Sequence, residues 1–237
     1  MKKITLLLAM IVLFTACKNN TNKEEKTSAE PPEIAVKADC SRETNFGDIT
    51  LCFPRIEGQT ECYTHPAINA RVNAFNDPDN TILGYYINNT HYKNVDNLDE
   101  VSYDDYFQIY APNMAKNYRM TLAEMNQIMG MMTSGFLDKT MGEVNESESF
   151  TKNDIAITQP MLIEKYSLNT RSSTMIVLMG ISNTSENKTM AVSMNALLVK
   201  DRIIFVTHYL DYEDETSIAS LKDNTANFIK KFMEANN

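Results

Sequence analysis

The chain opens on a short apolar block, passes through a long polar stretch, and only then begins to alternate. Residues 4–14 are apolar but for Thr5 and follow Lys2-Lys3. Eleven residues are too few to cross a bilayer as a mature helix, so the block predicts a cleaved secretory segment. Residues 18–38 are mostly Asn, Lys, Glu, Thr, Ser and Pro, with Ile34 and Val36 as isolated exceptions. Such a stretch cannot bury enough surface to fold and predicts a tether, averaging roughly 25 Å end to end. Alternation starts at 47–53, where Ile49, Leu51 and Phe53 share one face and Asp48, Thr50 and Cys52 the other, which predicts a strand ended by Pro54. A second strand is predicted over 81–88, rich in Ile and Tyr, after the turn cluster Asn76-Asp77-Pro78-Asp79-Asn80.

A helical period follows. Ser102 and Asp105 open the first predicted helix, which carries Tyr103, Tyr106, Phe107 and Tyr110 at spacings of three and four and is stopped by Pro112. Thr121 and Glu124 form a capping box for the second, with Leu122, Met125, Met129, Met132 and Phe136 along one stripe. Met120 and Met125 are spaced as a hydrophobic staple. The second half returns to a strand period. Segments 162–168, 174–181, 189–199 and 203–210 predict four consecutive strands, and their short connections predict an antiparallel meander. Lys200-Asp201, the last connection, lacks the glycine that a two-residue hairpin favours. From about Thr216 the chain is helical again, with Ile218, Leu221, Thr225, Phe228 and Phe232 on one face and Asp211, Glu213, Asp214 and Glu215 placed against its positive end. These elements predict one α+β domain over 39–237, an antiparallel sheet packed with helices.

Two resemblances refine this. The stretch Phe14-Thr15-Ala16-Cys17 resembles the lipobox of bacterial lipoproteins, with Phe14 where that family usually has Leu. The resemblance implies a signal peptide over 1–16, a lipidated (palmitate-bearing) Cys17 as first mature residue, and a tether over 17–38. Several acyl chains anchor a protein stably where one does not. Lys18 follows the cysteine, so the aspartate that retains many lipoproteins in the inner membrane is absent, and the family pattern implies delivery to the outer membrane. The order of elements from residue 40 onward is similar to the PsbP-like fold, an α/β/α sandwich whose members are mostly accessory and binding modules. A cystatin-like or nuclear-transport-factor-like cone is the alternative architecture, and neither implies a function by itself.

Charge narrows the partners. With 22 Lys and Arg against 31 Asp and Glu the chain carries −9, and removal of Lys2 and Lys3 makes the mature protein more acidic. That balance opposes nucleic acid and anionic head groups, so no nucleic-acid partner is expected. The expected partners are the membrane, through the N-terminal lipid, and an envelope component or small ligand.

The candidate chemistry is sparse. Cys40, Cys52 and Cys62 remain after Cys17, an odd number in an oxidising compartment; Cys52 and Cys62 lie symmetrically about Glu57-Gly58, and a hairpin turning there would pair them. A metal site from the three cysteines and His65 is the less economical reading, because only Cys62 and His65 are closely spaced. No nucleophile elbow, zinc-protease helix or Gly-rich phosphate loop occurs, and no cofactor is implied. A hydrolase would have to assemble its site around His65, His91 or His208. Methionine-based copper binding is a minor alternative, since thioethers suit Cu(I). Tyr103, Tyr106, Tyr110, Met125, Met129 and Met132 are a candidate ligand groove, with core packing as the plainer use of the same stripe. The function these features suggest is a non-catalytic binding or accessory module of the cell envelope.

Overall fold

The computed structural model describes residues 39–97, 101–132, 145–146, 148–152, 154–158, 160–183 and 187–237. The signal segment, Cys17, the tether and Phe136 lie outside the described residues. A first hairpin joins β1 (Cys40–Phe46) to β2 (Ile49–Pro54). β1 escapes sequence reading because Arg42, Glu43, Thr44 and Asn45 are polar and its exposure alternates with no apolar face until Phe46. At the turn Gly47 has φ +62, and a Cβ there would sit 1.9 Å from the Lys116 carbonyl oxygen, so no other residue fits.

An eight-stranded antiparallel sheet follows. Its strands are β3 (Gln59–Glu61), β4 (Asn80–Asn88), β5 (Asp105–Pro112), β6 (Ala156–Ile157), β7 (Met161–Tyr166), β8 (Ser172–Ser182), β9 (Asn187–Val199) and β10 (Arg202–Asp211). Their order is β3-β4-β5-β10-β9-β8-β6, with β7 beside β6 on the outer edge of β8. The predicted meander is therefore present as β7 to β10. The helices are α1 (Pro66–Ala74), α2 (Asn89–Tyr92), α3 (Leu122–Met131), α4 (Glu148–Lys152) and α5 (Glu215–Ala235). Helix α3 starts with the predicted capping box, in which Thr121 Oγ1 accepts from the Glu124 N–H and the Glu124 carboxylate accepts from the Thr121 N–H. Asp214 caps α5 in the same way, paired with Ser217.

Residues 105–112 are a strand, where the spacing had predicted a helix. Phe107, Ile109 and Ala111 are buried while Tyr106, Gln108 and Tyr110 are partly exposed, a two-residue alternation. Tyr103, Tyr106, Phe107 and Tyr110 satisfy a helical period by coincidence, and aromatic and β-branched residues favour the strand once β4 and β10 lie on either side. The second correction concerns the disulfide. It joins Cys40 to Cys52 across the first hairpin, with Cα atoms 5.4 Å apart. The turn at Glu57-Gly58 exists as an Ile56 to Gln59 bridge, but β3 then pairs with β4, which buries Cys62 as a free thiol. Burial and the neighbouring Glu61 charge push that thiol up to about 12.

The sheet is covered on both faces. On one, α5 lays Phe228 flat on Phe107, ring centroids 4.3 Å apart, and edge-on to Tyr86 at 4.9 Å, while Phe232 meets Phe53 of the hairpin. On the other, Ile68 and Val72 of α1 pack with Ile82, Tyr85 and Ile87 of β4. Close approach of the hairpin is what fixes Gly84, where a Cβ would lie 2.3 Å from the Phe53 ring. Not all of the interior is apolar. Beneath α5, Thr174 donates to Asn195 Oδ1 at 2.8 Å, and the Asn195 amide donates to the Ser193 and Val206 carbonyls at 3.1 and 2.8 Å. Both side chains are fully buried. Lys200 and Asp201 both take left-handed backbone, φ 47 and 60, so the two-residue turn forms without the glycine it favours.

Candidate functional site

β5 and β10 are antiparallel neighbours with Asp105 opposite Leu210, so the start of one and the end of the other reach the same edge of the molecule. There β10 runs through Asp211 into the first turns of α5, and β4 ends at Asn88, whose side chain caps α2. The result is a cleft of about 360 Å³ lined by His91, Asp104, Asp105, Asp211, Glu213 and Ser217, among others. The Asp211 N–H donates to the Asp104 carbonyl at 2.8 Å, which closes the floor between the two strands.

Four carboxylates thus converge, and three of them are already engaged. His91 Nε2 lies 3.2 Å from Asp104 Oδ1. Lys188 donates to Asp211 at 2.8 Å. Asp105 Oδ1 meets His208 Nε2 at 2.9 Å, and its other oxygen accepts from Gln59 at 3.2 Å. His208 is fully buried, stacked on Phe107 at 3.9 Å, with Nδ1 2.9 Å from Thr225 Oγ1 of α5. In the neutral ring Nε2 donates to Asp105, which leaves Nδ1 to accept the threonine hydroxyl. Both nitrogens are spent, so His208 holds α5 to the sheet and is closed to solvent.

Ser217 of the cleft serves the helix start. Ser217 Oγ accepts from the Glu213 and Asp214 N–H groups at 3.1 and 3.5 Å. Asp214 itself is held below its usual range by the hydroxyl and N–H of Thr216. A nucleophilic serine needs a free hydroxyl against a histidine nitrogen, and Ser217 is not so placed. What the cleft offers is a concave surface of carboxylates and hydroxyls.

The sequence-derived groove does not form as one surface. Tyr106 stacks between Tyr85 and Tyr209, at 5.3 and 4.5 Å, on the face that α1 covers, and Tyr103 meets it edge-on. Tyr110 stacks on Phe205. Met125 and Met129 belong instead to the core around Phe228 and Phe107, with Met132 packed against it partly buried. Met125 and Met129 are fully buried. Met129→Ala is expected to cost about 2–5 kcal/mol and Met129→Leu under about 1.5 kcal/mol. Thermal unfolding of both variants checks this, and an Ala variant as stable as its parent would put the stripe outside the core.

Of the three histidines, His91 lines the cleft, His208 is buried behind it against Asp105, and His65 pairs with exposed Asp96 at 3.2 Å. Among the described residues no group of three or more His, Cys, Asp or Glu side chains is arranged to hold a metal ion. Cys40 and Cys52 are joined to each other, which removes two of the thiolates considered as ligands. In the sequence Asp211–Glu215 read as helix-start charges and Asp105 as a helix-capping partner of Ser102; the signal for a site is an acidic pair, Asp104-Asp105, at the mouth of an aromatic strand.

No protein-family model matches the chain, and no curated protein matches it. Among solved structures it is similar to the Ran-binding protein Mog1p of Saccharomyces cerevisiae, at 10% identity and a TM-score of 0.39, over 82% of this chain and 93% of that one. A mutant of the protein Mog1 gives 9% identity, the same TM-score and the same coverage.

Proposed function

We propose that this chain is a cell-envelope lipoprotein, held in the outer membrane through lipid on Cys17, whose domain is a non-catalytic binding or accessory module. The observation that carries the reading is the run of Lys2-Lys3, a short apolar block over 4–14, and Ala16-Cys17. Two features agree with it. The Cys40–Cys52 disulfide suits an oxidising compartment. Among the described residues no helix is long and apolar enough to cross a membrane, so attachment would fall to the lipid. The finer architecture we propose is PsbP-like, because helices lie on both faces of the sheet and a meander runs into the C-terminal helix. The acidic cleft is the binding surface in this reading, and a cationic group is the ligand chemistry it favours.

A hydrolase is the second reading, favoured by His91 beside Asp104 in a cleft that Ser217 also lines. It is the weaker one, since the Ser217 hydroxyl is committed to the cap of α5 and His208 is sealed. The test of the first reading is acylation. Wild-type protein made in a lipoprotein-processing host with alkyne palmitate is expected to carry the label and sediment with membranes, and Cys17→Ser to lose both. Unlabelled wild-type protein with unchanged fractionation of the variant overturns it.

A further inference from the structure

The chain enters its domain at Cys40, and that residue is bonded at once to Cys52, twelve positions on in β2. β2 pairs with β1 alone. Yet the backbone of Cys52 is gripped by a side chain. Asn236 Oδ1 accepts from the Cys52 N–H at 2.8 Å, and Asn236 Nδ2 donates to the Cys52 carbonyl at 2.8 Å. The same Nδ2 donates to the Phe232 carbonyl at 2.8 Å, within the last turn of α5. Asn236 is 2% exposed and Cys52 is 6% exposed, so these bonds are made out of reach of water. The amide thus stands in for the peptide group of a neighbouring strand. The far end of the hairpin is pinned separately, by Arg202 to Asp48 at 2.6 Å and by Lys200 to the Thr50 carbonyl at 2.8 Å.

We propose that the Cys40–Cys52 disulfide and the Asn236 side chain form one redox-sensitive latch, through which tension on the N-terminal chain passes to α5 and leaves β1 unloaded. The source of that tension rests on the lipid-anchor reading above; the latch itself does not. Without the covalent link, a pull at Cys40 loads the β1–β2 pairs one after another from their open end, the weakest way to load a ladder. With the link, the pull reaches Cys52 directly and meets Asn236 and the core beneath it. A dithiol opens the latch by exchange. Cys40 and Cys52 each gain one electron and one proton, and the two thiols of the reductant close into a disulfide.

Force spectroscopy on the full chain carrying Cys17→Ser, held at its two termini, tests this. Oxidised protein is expected to show no release before its main rupture. In dithiothreitol an early release of about 27 Å should precede that rupture, the contour of about eight residues from Cys40 to the Asp48 pin, as the β1–β2 pairs and the Arg42–Glu61 tie give way. Cys40→Ser, altered at the edge of the domain, should reproduce the dithiothreitol trace under oxidising conditions. Asn236→Ala, kept oxidised, should rupture at lower force than its parent. Absence of the early release in both reduced protein and Cys40→Ser overturns the proposal, as does an unchanged rupture force in Asn236→Ala. A failed latch in a protein whose Cys17 carries lipid counts against the latch alone, and a working latch with unlabelled Cys17 counts against the anchor alone.

Discussion

Replacing Glu61 by Ala is expected to remove about 3–5 kcal/mol of folding stability, because it strands a guanidinium inside the protein. Arg42 donates to both Glu61 oxygens, at 2.8 and 2.9 Å, and to the Leu83 carbonyl at 2.5 Å. Its Cζ lies 4.3 Å from the centre of the Phe53 ring. Glu61 in turn accepts from the Tyr63 and Tyr85 N–H groups at 3.3 and 3.4 Å and is 3% exposed as a side chain. The pair ties β1 to β3 and β4, and its loss leaves donors without acceptors at the seam. Urea unfolding of Glu61→Ala measures the effect. A double variant, Arg42→Met with Glu61→Leu, should regain most of the loss, since two apolar side chains remove the unpaired charge along with its partner. A single variant within about 1 kcal/mol of its parent would mean that the pair is solvated in solution.

Phe228→Ala is expected to be as damaging, at about 3–5 kcal/mol. The ring is fully buried where α5 meets the sheet, between Phe107, Tyr86 and Phe232. It also backs the stack that holds His208, since Phe107 contacts Phe228 and His208 in the same arrangement. Cavity formation and loss of ring stacking therefore fall on one position. Thermal unfolding should show the drop, with Phe228→Leu falling well short of it. Equal losses for Ala and Leu would indicate that the ring's shape, more than the volume it fills, carries the stability.

The second half of the fold is legible in sequence because β8, β9 and β10 are long and largely buried. Ala196–Val199 and Ile203–Val206 are continuous apolar runs, as strands covered on both faces require, and Leu221, Thr225, Phe228 and Phe232 report a helix equally plainly. Thr121 and Glu124 mark the start of α3 by a local mechanism, so that boundary needs no tertiary information. β5 fails for the opposite reason. Four aromatics at spacings of one, three and four fit either period, and only its neighbours on both sides decide. The disulfide and the cleft are non-local. Cys40 meets Cys52 because β2 pairs with β1, a strand whose polar sequence gives no warning of pairing. Asp104, Asp105, His91 and Glu213 meet because β5 and β10 are adjacent across a hundred residues of chain, and no spacing in the sequence records it.

The buried Asn195 has a consequence for how the sheet finds its alignment. β8, β9 and β10 are apolar on both faces over much of their length, and a slip of two residues between them would return each side chain to its own face with little change in apolar burial. Hydrophobic contact alone therefore leaves competing alignments close in energy. Asn195 separates them. In the observed register it stands opposite Thr174, and its amide finds the Val206 carbonyl across β10. Shifted by two, it would face either Ile176, with the desolvation penalty of an unmade hydrogen bond, or Ser172, whose hydroxyl is already bonded to the Leu168 and Asn169 backbone. One asparagine thus converts a set of near-equivalent sheets into a single sheet.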